Sequence, residues 1–368
     1  MSVWIALACA LLLTWANGAN DNFKGVATLF GSGTTGYRKA LLWGTATTFA
    51  GAIAALWLAS AMVAAFSGKL FIVQQVLAMP AFPLAVCAGA AATVLLANRY
   101  GLPVSTTHAL IGALCGAAMA VSAGGGVAWD KVGELVLLPL AVSPLLAILL
   151  AMPLYPLLRW SRRRLGIARQ SCVCVGQEVV AGPDGTALAF ASVSTGQQPE
   201  CEERYVGRVI GISANSLIDS LHFLSAGAVG FARGLNDTPK LVGLGLLCMP
   251  SLGSAPSFIM IAVVMAAGGL LSGRRVARTL SQKITRMNSG QGLTANLVTS
   301  TLVILASPLA LPVSTTHVSV GALFGIGTVT GQARGKMIAG IVLAWLLTLP
   351  LAAAIGGGMM LVTGIFVH

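Results

Sequence analysis

Six residues, Pro-Val-Ser-Thr-Thr-His, occur at positions 103–108 and again at 312–317. Each copy lines up three hydroxyls: Ser105, Thr106 and Thr107 in the first, Ser314, Thr315 and Thr316 in the second. Proline suits the first turn of a helix, where its missing N–H goes unfelt. Each copy therefore reads as a helix start offering hydroxyls and free backbone N–H groups. Such an end carries roughly half a positive charge and binds oxyanions. Two of them face to face would grip one tetrahedral oxyanion from both sides. Serine and threonine also cap and pack helices with no ligand present. The recurrence of the same six residues favours the anion site.

A second pair of motifs carries charge. GANDNFK at 18–24 returns as GLNDTPK at 234–240, which places Asn20-Asp21 and Asn236-Asp237 inside long apolar segments. A carboxylate at bilayer depth is costly and by default functional. Lys24 and Lys240 follow their aspartates by three residues, a spacing that puts both side chains on one helical face. The pairs would neutralise themselves, which permits burial and is compatible with a binding role.

These motifs must be positioned by membrane helices. Only 9% of the 368 residues are charged and 56% are hydrophobic, with a mean hydropathy of +0.87. A soluble domain carries about a quarter charged residues. Long apolar runs at 40–66, 132–158, 257–272 and 338–367 suit a hydrocarbon core that takes about 20 helical residues to cross. The opening segment, 3–16, has no basic residue before it and no cleavage-type boundary after it, so it reads as a retained first helix.

The net charge of +12 does not indicate nucleic acid, because its carriers flank apolar runs. Arg159, Arg162, Arg163, Arg164 and Arg169 form one cluster, and Arg274, Arg275, Arg278, Lys283 and Arg286 another. Such clusters mark cytoplasmic loops. The 159–206 stretch is a polar linker, with a small hairpin expected at 177–190 around the turn residues 183–185. It divides a first transmembrane repeat, 1–158, from a second, 207–368. Of seven cysteines, Cys172, Cys174 and Cys201 fall in this linker. Three thiols make an incomplete zinc set, so they are expected as free thiols.

The two motif pairs recur at offsets of 216 and 209 in the same order, which marks a duplicated unit. The 273–290 loop carries five basic residues, whereas its first-half counterpart, 67–79, has only Lys69. Equivalent loops then lie on opposite faces, and the repeats are inverted, a plan common in secondary transporters. The fold class is thus all-α and polytopic, with broken helices, the N-terminus outside and the linker in the cytoplasm. Full spans around the hexapeptides and re-entrant hairpins both fit an odd crossing count; flanking glycines and prolines favour hairpins.

The segment GANDNFKGVATLFGSG, the two LPVSTTH units and RRVARTLSQKIT together resemble the inorganic phosphate transporter (PiT) family, across essentially the whole chain outside the linker. The resemblance implies a multi-pass permease of the cell membrane that moves inorganic phosphate, usually with Na⁺ or H⁺. It implies a site lined by Asn20, Asp21, Asn236, Asp237 and the two Ser-Thr-Thr tips, with the Asn-Asp elements as ligands if Na⁺ binds. Lys24 and Lys240 stand where the family usually has asparagine, and Asn296 where it often has glutamate. These departures make the interior more positive, put Na⁺ coupling in doubt and favour H⁺. Both lysines, and Arg99 ahead of the first tip, join the candidate anion ligands; Arg99 is alternatively an anchor at the membrane surface.

His108 and His317 are expected to bond a neighbouring helix rather than relay protons. Asp219 and His222, at i and i+3, are expected as a hydrogen-bonded pair. Sulfate on the same scaffold is the alternative cargo, and a passive anion channel the alternative class. Asp21 and Asp237 tilt the choice to phosphate, whose P–OH has a proton to donate where sulfate has none. An enzyme fits poorly, since no nucleophile, base and orienting group fall together. No cofactor is expected; lipid and a possible second copy of the chain are the expected partners.

Overall fold

The computed structural model describes residues 2–122, 125–168, 170–181, 187–204, 206–279, 281 and 287–366. Its long helices fall into two sets of five. The first half holds α1 (Ser2–Asp21), α2 (Tyr37–Leu58), α3 (Ala81–Tyr100), α4 (Thr106–Ser122) and α5 (Leu138–Arg164). The second holds α6 (Ala214–Cys248), α7 (Ser254–Ser272), α8 (Ser289–Ala306), α9 (Thr315–Thr330) and α10 (Gly335–Phe366). Among the described residues six stretches are long and apolar enough to cross a membrane, on α1, α2, α3, α5, α7 and α10. Leucines such as Leu149, Leu271 and Leu346 stand exposed on them, as helices bathed in lipid require. The 35-residue α6 is longer than most of these but carries Arg233, Asp237 and Lys240, all buried against other helices.

Packing repeats between the halves. Helix α1 lies on α3 and α7, and α6 lies on α8 and α2; α4 lies on α10, and α9 on α5. Exchanging the halves turns each contact into its partner. Where α1 and α6 meet, Asn17 touches Arg233, and just beyond the end of α1 the later Gly25 touches the earlier Gly230, so the two segments run antiparallel. A two-fold axis relating antiparallel helices lies across them, hence in the membrane plane. The repeats are inverted.

Small residues let backbones close on one another, as membrane helices require in the absence of a hydrophobic drive. A Cβ on Gly18 would lie 2.0 Å from the Met265 carbonyl oxygen of α7, and one on Gly234 would lie 2.0 Å from that of Thr48 on α2. The 216-residue offset relates these two glycines.

Between the halves sits a three-stranded antiparallel sheet of order β2-β1-β3, with β1 at Ser171–Ala181, β2 at Ala187–Gln197 and β3 at Val206–Ser213. The expected hairpin is thus longer than 177–190 and gains a third strand; its turn residues, 183–185, lie outside the described residues. Cys172 is a buried free thiol, but Cys174 is disulfide-bonded. That corrects the expectation of free thiols throughout the linker. The positions of Arg169, Lys283 and Arg286 also fall outside the described residues.

Candidate functional site

Each hexapeptide sits where a helix pair folds back into the protein. Helix α3 ends at an exposed Tyr100, and Gly101 (φ +67°) turns the chain. The Gly101 N–H donates to Asn98 O and the Leu102 N–H to Ala97 O, a Schellman closure. In the second half Ala310 and Leu311 make the same two bonds to Ser307 and Ala306. Ala310 does so at φ 53°, the left-handed region that glycine tolerates better. Beyond each turn the chain runs inward, and Ser105, Thr106, Thr107, Ser314, Thr315 and Thr316 are all buried.

The serine oxygens cap the two helices. Ser105 Oγ accepts the His108 N–H and Ser314 Oγ the His317 N–H, each at 3.3 Å. The threonines face the other elements. Thr106 Oγ1 bonds Asn17 Nδ2 (3.0 Å) and Asp21 Oδ2 (3.3 Å). The Thr316 hydroxyl donates to Val104 O at 3.1 Å, so the two tips touch.

Both lysines bridge the tips. The Lys24 ammonium donates to Asp21 Oδ1, to Val104 O at 2.9 Å in its own half, and to Thr316 Oγ1 in the other. Lys240 donates to Asn236 Oδ1, to Asp237 Oδ1 (3.3 Å), to Val313 O (2.9 Å) and across the halves to Thr107 Oγ1 (2.9 Å). Lys24 and Lys240 are only 3% and 1% exposed. Lysine is almost never so deeply buried unless paired. The i, i+3 pairing with aspartate is as the sequence indicates, whereas the reach into the opposite half is not visible in it.

The asparagines hold the turns in place. Asn20 Nδ2 donates to Asn98 Oδ1 (2.6 Å) and Leu102 O (3.0 Å), and Asn236 Nδ2 to Ser307 Oγ (3.2 Å). Two charged-site residues escape the repeat search: Arg233 and Asn17, which the 216-residue offset relates to each other. Arg233 is 1% exposed. Its Nη2 donates to Asn17 Oδ1 at 2.7 Å, and its Nε lies 3.5 Å from Asp237 Oδ2. Neither Nε nor Nη1 of Arg233, nor Oδ2 of Asp237, has a hydrogen-bond partner among the described residues. An arginine interrupting an apolar helix just before GLND was the signal available in the sequence. Three buried cations thus face two buried carboxylates, which leaves one formal positive charge beside two helix N-termini.

Other expectations land elsewhere. Arg99 is exposed at the end of α3, in a cleft with Asn98, Arg274, Arg275 and Arg278, and Arg275 donates to its carbonyl. It is not among the buried groups at the tips. His108 and His317 lie with centroids 4.7 Å apart and rings tilted by 47°, and His317 stacks on Trp345 of α10. Asp219 and His222 do not pair: Asp219 accepts from Asn215 and His222 meets Thr34. Asn296 accepts from Thr28 and donates to Ser225, joining α8 to α6. Among the described residues no group of three or more His, Cys, Asp or Glu is arranged to hold a metal ion.

Residues 17–356 match the model of the phosphate transporter family. A Pyrococcus horikoshii protein named "Putative phosphate permease" is 27% identical over 96% of this chain and 96% of its own length. The Mycobacterium leprae "Probable low-affinity inorganic phosphate transporter" is 27% identical over 96% of this chain and 76% of its own. A solved structure titled "The sodium-dependent phosphate transporter" superposes with a TM-score of 0.77 at 21% identity, over 99% of both chains. At that identity it speaks to the fold. Its title gives the expected preference for H⁺ over Na⁺ no support.

Proposed function

Since this chain belongs to the phosphate transporter family, we propose that it carries inorganic phosphate across the cell membrane by alternating access, the anion sitting where the two tips, Arg233 and Asp237 converge. In this reading 1–158 and 207–368 are the moving halves and 159–206 a cytoplasmic linker, with the N-terminus outside.

One observation carries the reading. Arg233 Nε and Nη1 and Asp237 Oδ2 make no hydrogen bond, and only a 3.5 Å ion pair joins Nε to Oδ2. A buried donor or acceptor left unpaired costs about 1–3 kcal/mol, so this pairing of donors with an acceptor favours a ligand that satisfies both. Phosphate does so near neutral pH. Its anionic oxygens accept from the guanidinium, and its P–OH donates to the carboxylate. Sulfate offers only acceptors.

The charge balance points the same way. An uncompensated buried charge costs several kcal/mol, and the three cations exceed the two carboxylates by one. A bound anion supplies the missing charge. The Thr106, Thr107, Thr315 and Thr316 turns add the positive ends of α4 and α9.

The test is uptake of labelled phosphate into proteoliposomes, competed with sulfate and arsenate. Uptake inhibited by arsenate and not by sulfate is the expected result. Efficient competition by sulfate would instead assign the sulfate cargo. Unlabelled phosphate preloaded inside should accelerate entry, because a carrier shows trans-stimulation and a passive channel does not.

A further inference from the structure

The hydrogen-bond acceptors around the two lysine ammoniums are all oxygens, and the Phe66 ring lies 5.6 Å from Lys240 Nζ. Lys24 is held by a carboxylate oxygen of Asp21, the Val104 carbonyl and the Thr316 hydroxyl. Lys240 is held by a carboxylate oxygen of Asp237, the Val313 carbonyl and the Thr107 hydroxyl, plus the Asn236 amide oxygen. Carboxylate, carbonyl and hydroxyl recur in the same places because exchanging the halves maps one shell on the other. Both carbonyls belong to the non-helical backbone ahead of α4 and α9. Oxygen acceptors that combine carboxylates with unwound backbone carbonyls are how hard cations are bound, and how transporters seat coupling Na⁺.

An ammonium carries the same single charge as Na⁺ and has three N–H donors. Lys24 meets three oxygens and Lys240 four, so neither has a donor left for the transported anion. Their work is therefore different from that of Arg233, whose Nε and Nη1 make no hydrogen bond among the described residues. The oxygens suit Na⁺, but the space is taken by a cation that cannot leave.

We propose that Lys24 and Lys240 are permanent, tethered replacements for two monovalent cations, so that phosphate transport by this chain needs no Na⁺. This rests on the phosphate-carrier reading, but half of its test does not.

The first measurement is phosphate uptake by the full-length protein in proteoliposomes, with Na⁺ replaced by choline at constant pH and ionic strength. Equal rates within twofold are expected, and uptake that requires Na⁺ overturns the inference. The second is thermal unfolding of the purified protein in NaCl against choline chloride, which needs no transport. Wild type should show no Na⁺-specific shift. Lys24→Asn and Lys240→Asn, tested singly, should each gain a saturable Na⁺-specific rise of at least about 2 °C. Lys240→Met, which fills the shell without a charge, should gain none. Absence of any Na⁺ response in both asparagine variants, or the same response in wild type, refutes the tethered-cation idea. Should one variant not fold, the other and the wild-type melt still decide. Failure of all anion uptake with the expected melts would refute the carrier reading alone.

Discussion

Replacing Asp237 by Asn probes the proposed cargo at one atom. Lys240 holds Asp237 Oδ1, while Oδ2 has no hydrogen-bond partner and lies 3.5 Å from Arg233 Nε. In the variant the amide oxygen stays with Lys240, and the amide nitrogen replaces Oδ2. An acceptor for P–OH becomes a donor. A hydrogen bond to a charged group is worth about 1.5–3 kcal/mol, and 1.4 kcal/mol is tenfold in affinity. Phosphate should therefore lose roughly 10- to 150-fold relative to sulfate. The variant also adds one net positive charge, which draws both anions alike, so absolute rates decide nothing and the ratio does. The assay is the concentration of unlabelled sulfate that halves labelled-phosphate uptake, divided by the same figure for unlabelled phosphate. That ratio should fall by the stated factor in a variant that elutes and melts like wild type. A ratio unchanged within twofold would show that Asp237 serves only to balance Lys240, and the argument for phosphate from this carboxylate would be lost.

Three further outcomes follow from the architecture. Ala310→Gly relieves the left-handed backbone at the second turn and should raise stability by roughly 0.5–1 kcal/mol, read as a higher melting temperature in detergent. Gly234→Ala drives a Cβ into the Thr48 carbonyl and should cost at least about 3 kcal/mol; Gly245→Ala, with nothing within 4 Å, should be neutral or better by the same melt. On a cysteine-free background, Lys69→Cys should react with an impermeant thiol reagent in intact cells, and Arg275→Cys only after permeabilisation; the reverse pattern would invert the proposed orientation.

The two inverted halves were legible because two motifs recur in order and basic residues crowd only one of two equivalent loops, and both signals are local. The Asp21–Lys24 and Asp237–Lys240 pairs were legible for the same reason, since i, i+3 spacing fixes a shared face on any helix. What each lysine does next was not. Its bond to the far half's threonine exists only once two hairpins meet at an axis, and no sequence window contains that distance. Arg233 was missed because the search followed residues that match between halves, and its counterpart is Asn17. Serines 105 and 314 read as anion ligands in a list of hydroxyls; that their oxygens also cap α4 and α9 follows from where each helix starts. Asn20 and Asn236 are ligands by the family resemblance alone; the neighbouring hairpin turns, with open carbonyl and side-chain acceptors, bond their amides. Asp219 and His222 show the limit of spacing arguments: a residue within reach loses to a better-aimed partner on another element.

The mismatch between Arg233 and Asn17 has an energetic consequence. In an inverted-repeat carrier, swapping the conformations of the two halves converts the state open on one side into the state open on the other. Identical halves would make those states degenerate, and an empty carrier would face each side half the time. Here one half carries a guanidinium where the other carries a neutral amide. On the proposed cycle, that lone charge keeps Asp237 of its own half at 3.5 Å and Asn17 of the other at 2.7 Å, and the swap cannot reproduce both contacts in mirror image. Each 1.4 kcal/mol of difference weights the resting population tenfold. The empty carrier is therefore a loaded die, and the anion that neutralises Arg233 resets its odds.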